Sequence, residues 1–231
     1  MKIYILSGAG LSAPSNIPTY REKNGIWSRY NILEYATHEA WEKDPKKVIS
    51  FFDQRRVELK KYKPNRAHYF IASLKNKIHL TQNIDDLSTR ANDPVIYLHG
   101  KLREVRCDKC LKSWDIGYNP QPQRCIFCNS SKVRPNVVLF GEIAQNYKYL
   151  YTIKADIFIA IGTSGRVIDI ADIAQNYPIS ILINPKREKR FTTFYGKFDE
   201  YIDQYFTYYI QKDIIDALKD LKELLNQLNR K

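Results

Sequence analysis

Cys107-x2-Cys110 and Cys125-x2-Cys128 use every cysteine of the chain, with 14 residues between the pairs. Two such knuckles can bring four thiolates to the corners of a tetrahedron, the geometry a zinc ion takes. With four cysteine ligands no position is left for water, so the expected metal is structural rather than catalytic. Two disulfides are the alternative, and the lack of a legible secretory signal argues for a reducing compartment. Reactive chemistry must lie elsewhere. Ser7-Gly8-Ala9-Gly10-Leu11-Ser12 follows directly on the apolar run Ile3-Tyr4-Ile5-Leu6. A strand ending in a small-residue turn, with Ser12-Ala13 permitting a helical start, has the form of the first βα junction of a nucleotide-binding sheet. There, backbone N–H groups at a helix N-terminus favour phosphate. Gly-Ala-Gly is only part of a GxGxxG fingerprint, so phosphate cradle and plain tight turn stand level on these residues alone.

The same form recurs along the chain and defines the elements that must position such residues. Short apolar runs end in polar tips: 78–81 before Gln82, Asn83 and Asp85, 95–98 before His99-Gly100, and 137–140 before Gly141-Glu142. Two more follow, 157–161 before Gly162-Thr163-Ser164 and 179–183 before Asn184-Pro185. Continuous apolar strands separated by helices indicate a parallel sheet covered on both faces, an α/β fold. Ligands of such sheets bind beyond the C-terminal ends of the strands, so the tips should converge on one crevice. Residues 16–27 read as a loop, and 37–60 as two helices broken at Asp44-Pro45. Residues 67–75 read as a further helix, and 214–228 as an amphipathic helix that covers the core. The cysteine pairs lie between two strands, which makes 104–135 an insertion.

Composition bounds the class. At 231 residues with 44% hydrophobic and 13% aromatic residues, the chain can bury a full core as one domain or one domain with an inserted lobe. The net charge of +12 comes from lysines and arginines spread along the chain in short, interleaved groups. Solvated faces account for it better than a dedicated nucleic-acid patch. No stretch approaches the roughly 20 apolar residues of a membrane helix. The apolar run after Lys2 is too short for a signal peptide, so a cytoplasmic protein without a membrane partner is expected. A monomer is expected as well.

Taken together, the tips and cysteines form a recognisable set. It comprises Gly8-Ala9-Gly10-Leu11-Ser12 with Ile17-Pro18-Thr19-Tyr20-Arg21, Thr81-Gln82-Asn83-Ile84-Asp85, Leu98-His99-Gly100, the two CxxC pairs, Arg134 to Glu142, and Gly162-Thr163-Ser164. Collinear and covering nearly the whole chain, these stretches make it resemble a sirtuin. The resemblance implies an NAD-dependent protein lysine deacylase. Its large domain would be a Rossmann-like parallel sheet with helices on both faces, residues 1–24, 66–103 and 136–231. Its small domain, 25–65 and 104–135, would combine a helical module with a four-cysteine zinc ribbon. NAD would be consumed as a co-substrate. In that family the carbonyl oxygen of an acyl-lysine in a protein or peptide attacks the nicotinamide ribose and nicotinamide leaves. A histidine base then promotes attack of a ribose hydroxyl on the imidate, and O-acyl-ADP-ribose is released.

His99 matches that base, and a histidine titrating near neutrality at a strand tip suits the role. Asn83 and Asp85 match the residues that hold the nicotinamide amide and ribose, and Gln82 a ribose contact. A carboxamide and a carboxylate can meet an amide and a cationic glycosidic centre. Gly8, Ala9, Gly10, Ser12, Tyr20 and Arg21 match the cofactor loop, Gly162 and Ser164 a phosphate or ribose contact, and Asn184 an adenosine-ribose contact. Val138, Phe140, Gly141 and Glu142 match the edge to which a substrate peptide adds by backbone pairing. His38, His68 and His79 match no motif of the family and are expected to be structural.

Departures from the pattern bear on rate and selectivity. Asn16 stands where the family has glycine, and asparagine tolerates positive φ. Tyr20 replaces a phenylalanine. Leu87 to Asn92 replaces the usual residues after Asp85, and Gly165 and Asp169 replace a leucine and a proline. Sirtuins that remove succinyl or malonyl groups carry a tyrosine and, three residues later, an arginine. Here Phe52 lacks the hydroxyl while Arg55 is kept. Arg55 therefore reads either as half of a carboxylate reader or as a solvent-facing helix residue. Two other functions compete with deacylation: NAD hydrolysis or ADP-ribosyl transfer in the same pocket, and a weakly active NAD-binding scaffold.

Overall fold

A computed structural model describes residues 1–19, 25–192 and 196–230. Among them the strands are β1 (Ile3–Ser7), β2 (Lys77–Thr81), β3 (Val95–Tyr97), β4 (Gly100–Cys107), β5 (Ser113–Asp115), β6 (Val133–Val137), β7 (Ile157–Ile161), β8 (Ile179–Ile183), β9 (Lys189–Thr192), β10 (Gly196–Tyr201) and β11 (Tyr208–Ile210). Six of these form one parallel sheet in the order β11-β8-β7-β1-β2-β3. Counted along the sheet's own strands that order is 3-2-1-4-5-6, the doubly wound Rossmann arrangement whose topological switch lies between the two central strands.

Apolar strands fit the interior because both faces are covered. Ile3 and Ile5 of β1 point to one face, with Ile71 of the helix Arg66–Ser73 and Leu221 of the helix Ile214–Leu228. Tyr4 and Leu6, of opposite parity, pack on the other face with Phe158, Ile170 and Ile202. The C-terminal helix is capped by Asp213, which accepts from Ile215 N–H at 2.8 Å and Asp216 N–H at 3.1 Å. It buries Ile214, Ala217, Leu221 and Leu225 at helical spacing, as its amphipathic pattern predicts.

A helical module, a three-stranded antiparallel sheet, β5-β4-β6, and the antiparallel pair β9-β10 stand beside the parallel sheet among the described residues. The break at Asp44-Pro45 is real. The helix His38–Lys43 ends there, and Pro45–Leu59 begins with Pro45 in its first turn and Asp44 accepting from Lys47 N–H at 3.0 Å. Among the described residues no helix is long and apolar enough to cross a membrane.

Two local expectations fail, and one strand leaves no signal in the sequence. The run 137–140 is not a strand of the parallel sheet. After His99 the chain turns at Gly100, whose φ is +80° and where a Cβ would lie 2.1 Å from the Asn136 carbonyl oxygen. The β4 strand that follows pairs with β6, so Val137 and Leu139 are buried against Phe51 and Phe52 of the helical module and Leu102 of β4 instead. The edge strand β11 is too short and too exposed to show as an apolar run. No regular helix follows Ser12. Two 3-10 turns, Ala9–Leu11 and Ala13–Ser15, stand there, closed by Asn16 at φ 65° in the left-handed conformation expected where glycine is replaced.

Candidate active site

Strand register explains how distant residues meet. Ile210, Ile183, Ile161, Ser7, Thr81 and Tyr97 are level neighbours across the sheet. Every tip therefore leaves the sheet at the same height, and all the described nucleotide-side and substrate-side residues named above line one cavity of about 680 Å³. Tyr20 and Arg21 lie outside the described residues.

At the switch point the β1 and β7 tips touch. Gly8 N–H donates to the Ile161 carbonyl at 2.8 Å, and Gly10 N–H to the Gly162 carbonyl at 2.9 Å. A Cβ on Gly10 would lie 2.5 Å from the Gly162 Cα, and Gly162 itself has φ +60°. These glycines are thus required by one another: the close approach they permit is loop against loop, and it forms the cavity wall. Thr163, which carried no predicted role, ties three tips together. Its hydroxyl accepts from Gln82 Nε2 at 2.9 Å, and its carbonyl accepts from Asn184 Nδ2 at 2.8 Å.

The floor is a polar network. Asn83, buried, donates through Nδ2 to the Gly8 carbonyl at 3.0 Å and to Ser12 Oγ at 3.2 Å. Ser12 Oγ donates to Asp85 Oδ2 at 2.9 Å, while Leu87 N–H donates to Oδ1 at 3.0 Å. Burial pushes the Asp85 carboxyl up to about 6, against the pull of those two donors, so at neutral pH it is still ionised. Behind Ser12 stands His68, 3.5 Å away through Nε2 and pushed down to about 4 by burial. Its Nδ1 accepts from Asn65 N–H at 3.2 Å, which leaves the ring proton on the nitrogen that faces Ser12. The spacing Asn65-x-x-His68, a capping box at a helix start, was the one sequence signal for this support.

His99 projects from the β3 tip. Its Nδ1–H donates to the Gln82 carbonyl at 2.8 Å, so the proton-accepting Nε2 faces the cavity side, where the Tyr147 hydroxyl lies at 2.7 Å. Desolvation lowers its pKa, with the Gln82 carbonyl opposing, and keeps the imidazole neutral and able to accept a proton. Tyr147 had no sequence signal. A second serine–histidine–aspartate line exists, Ser7 Oγ to His79 Nε2 at 2.8 Å and His79 Nδ1 to Asp93 at 2.6 Å. All three residues are buried and none lines the cavity, so His79 is structural as expected.

On the substrate side Phe52 is buried and edge-on to Phe51, whereas Arg55 keeps 16% of its side chain exposed. Arg55 does not face bulk solvent. It lines the cavity, its guanidinium 4.6 Å from the Tyr30 and Phe51 ring centroids and 3.5 Å from Glu58. Glu142 is anchored by Arg134 Nη1 at 2.7 Å and accepts from Leu139 N–H at 3.0 Å. The Phe140 backbone is engaged on one side, its N–H donating to the Ala36 carbonyl and its own carbonyl accepting from His38 N–H, both at 2.8 Å.

The four cysteine sulfurs all lie within 4.8 Å of one another. Cys107 and Cys128 approach to 3.6 Å, and Cys110 and Cys125 to 3.7 Å. With Zn–S bonds of about 2.3 Å a tetrahedron has edges of about 3.8 Å, so the donor set fits such an ion. Both knuckles close alike. Leu111 N–H donates to the Cys107 carbonyl at 2.8 Å and Asn129 N–H to the Cys125 carbonyl at 2.9 Å, each donor residue at positive φ.

Residues 8–169, more than half of the chain, match the Sir2 family. The chain belongs to the Sir2 family. A relative from Campylobacter jejuni (strain RM1221), named NAD-dependent protein deacylase, is 41% identical over 225 residues, which cover 94% of this chain and 92% of that protein. Among solved structures, a Sir2 homologue in complex with NAD superposes with a TM-score of 0.81 at 31% identity, covering 98% of this chain and 90% of that one. A Sir2 protein with a deacetylated p53 peptide and 3′-O-acetyl ADP ribose gives 0.77 at 26% identity, covering 96% and 92%. Within the Sir2 frame, two departures have visible substitutes. Asn92 adopts φ 62°, and Asp169 caps the helix Ile170–Ala174 while pairing with Arg190 at 2.8 Å.

Proposed function

We propose that this chain removes acyl groups from lysine side chains of proteins, consuming NAD and releasing nicotinamide and O-acyl-ADP-ribose, with His99 as general base. By class it is an NAD-dependent protein deacylase, as its relatives are named. The observation that carries this reading is the orientation of His99, a neutral imidazole whose accepting nitrogen faces the cavity lined by Asn83, Asp85 and Ser12.

A cavity of about 680 Å³ is within the range of ligand sites and large enough to take a nucleotide and an acyl chain together. Bound NAD supplies the ribose carbon at which the acyl oxygen is taken up. Ionised Asp85, held by Ser12 and Leu87, stabilises positive charge developing at that carbon. Asn83 orients the nicotinamide amide, and Gln82 meets the ribose. The wall of Gly8, Ala9, Gly10, Gly162 and Ser164 receives the phosphates, Asn184 the adenosine ribose, and Tyr20 and Arg21 complete the loop. His99 Nε2 takes the proton of the attacking ribose hydroxyl.

The acyl peptide pairs along Val138, Phe140, Gly141 and Glu142, and its acyl chain enters between Phe52 and Arg55. With the arginine but not the hydroxyl of an acidic-acyl reader, preference for succinyl and malonyl groups is weakened rather than absent. The nucleotide-binding domain takes in 1–24, 66–103 and 136–231. The helical module and ribbon, 25–65 and 104–135, form the second wall, held by one structural zinc ion on Cys107, Cys110, Cys125 and Cys128.

The test is to incubate the protein with NAD and acetyl-, succinyl- and long-chain acyl-lysine peptides and follow each peptide by mass. Loss of the acyl group only when NAD is present is expected. Consumption of NAD with every peptide unchanged would contradict the reading and favour a glycohydrolase.

A further inference from the structure

An imidazole nitrogen offers one in-plane lone pair, and that of His99 is already taken. The Gln82 carbonyl can only accept, so Nδ1 carries the ring proton and Nε2 can only accept; Tyr147 O–H at 2.7 Å is therefore the donor. Tyr147 stays protonated, burial pushing its hydroxyl up to about 12. It sits on the 3-10 turn Gln145–Tyr149, directly after the exposed stretch through Gly141 (φ +90°) and Ile143, which is 90% exposed. The turn is held to the sheet by Asn146, whose Nδ2 donates to the Tyr97 carbonyl at 2.7 Å. The two rings meet at a tilt of 53° with centroids 5.7 Å apart, so the hydroxyl approaches the edge nitrogen rather than the ring face.

We propose that Tyr147 is a positioning residue that occupies the accepting nitrogen of His99 in the resting protein and competes there with the ribose hydroxyl that the base must deprotonate. The proposal rests on the reading of His99 as the general base. One lone pair cannot serve two donors, so the Tyr147 bond must open before His99 can act. Its strength then sets how readily the base is available, while the Gln82 bond keeps the ring aimed in either case.

The experiment is a histidine ¹⁵N NMR titration of the wild type and Tyr147→Phe without substrates, followed by pH–rate profiles of kcat at saturating NAD and acyl peptide, since the base acts after nicotinamide has left. A donor to the lone pair stabilises the neutral ring, so its loss raises the His99 pKa by roughly one pH unit. The acid limb of the profile moves up by the same amount, and the alkaline plateau rises about three- to tenfold as the competitor is gone. A residue that merely braced the fold would lower the plateau without moving the limb. An unchanged or lowered His99 pKa, or a raised pKa with a plateau at or below that of the wild type, overturns the proposal. The wild type gives a second reading should the variant misfold: Nε2 must resonate as an unprotonated, hydrogen-bonded nitrogen, and an Nε2–H signal overturns the proposal. Because the titration contains no substrate, failure of the Tyr147 bond is separable from failure of the base itself, which His99→Ala reports.

Discussion

The cavity at the strand tips and the four-cysteine ribbon solve the same problem, holding a few side chains at fixed separations, by opposite means. In the ribbon, four sulfurs come from two near-identical knuckles 14 residues apart, each closed by its own backbone bond. In the cavity, Gly8, Asn83, His99, Gly162 and Asn184 come from five strand ends. Only the level register of the sheet and bonds between tips through Ser12, Thr163 and Gln82 bring them together. The ribbon is therefore local and modular, whereas the cavity depends on the whole sheet. Changes in the two regions should fail differently.

The sharpest separation comes from His99→Ala, which should lower deacylation by roughly 100- to 10,000-fold. Zinc content, measured by atomic emission, should be unchanged; surviving activity would remove His99 from the base role. Chelating the metal should act the other way, unfolding the ribbon first. Activity is then lost indirectly, because β4 continues from the His99-Gly100 turn and β6 leads into Val138. A metal-free protein with full activity would show that the two regions are independent.

Gly162→Ala tests the loop contact itself. A Cβ 2.5 Å from Gly10 Cα, at φ +60°, should cost about 2 kcal/mol or more in urea unfolding and raise the KM for NAD, with the ribbon untouched. Asp85→Asn should stabilise the protein in the absence of NAD. The folded carboxyl keeps its proton up to about pH 6 while the unfolded one loses it near 4. Asp85 therefore makes stability fall as pH rises through that window, and the cost persists above it. The variant should melt about 5 to 10 °C higher than the wild type at pH 7.5 and level with it at pH 4, while losing turnover. The smallest effect is expected from Phe52→Tyr, which should shift the succinyl-to-acetyl rate ratio upward a fewfold by adding the missing hydroxyl beside Arg55.

Legibility in the sequence follows the same division. The CxxC pairs could be read because their geometry is local, and β1, β7 and β8 because strands buried on both faces are near-continuously apolar. The run 137–140 misled for that reason: a helical module buries valine and leucine as well as a sheet does, and periodicity cannot tell the two apart. The tips were found as a set, yet the contacts that hold them were not. Thr163 meets Gln82 across 81 residues and Asn184 across 21, and Tyr147 meets His99 across 48, separations that leave no spacing signal; the capping box marks His68 on its helix but not its approach to Ser12 across 56. Arg55 and Arg56 make the point at single-residue scale. Adjacent and identical in type, one lines the cavity, while the other is fully buried and donates to the Leu102 carbonyl at 2.6 Å.

If the strand-tip cavity cuts NAD in order to take an acyl group from lysine, the two events must be coupled. Nicotinamide release from NAD, measured with and without an acetyl-lysine peptide, tests that coupling most directly. Release should depend on the peptide and match the acyl groups removed one for one. Equal release in the absence of peptide would contradict it.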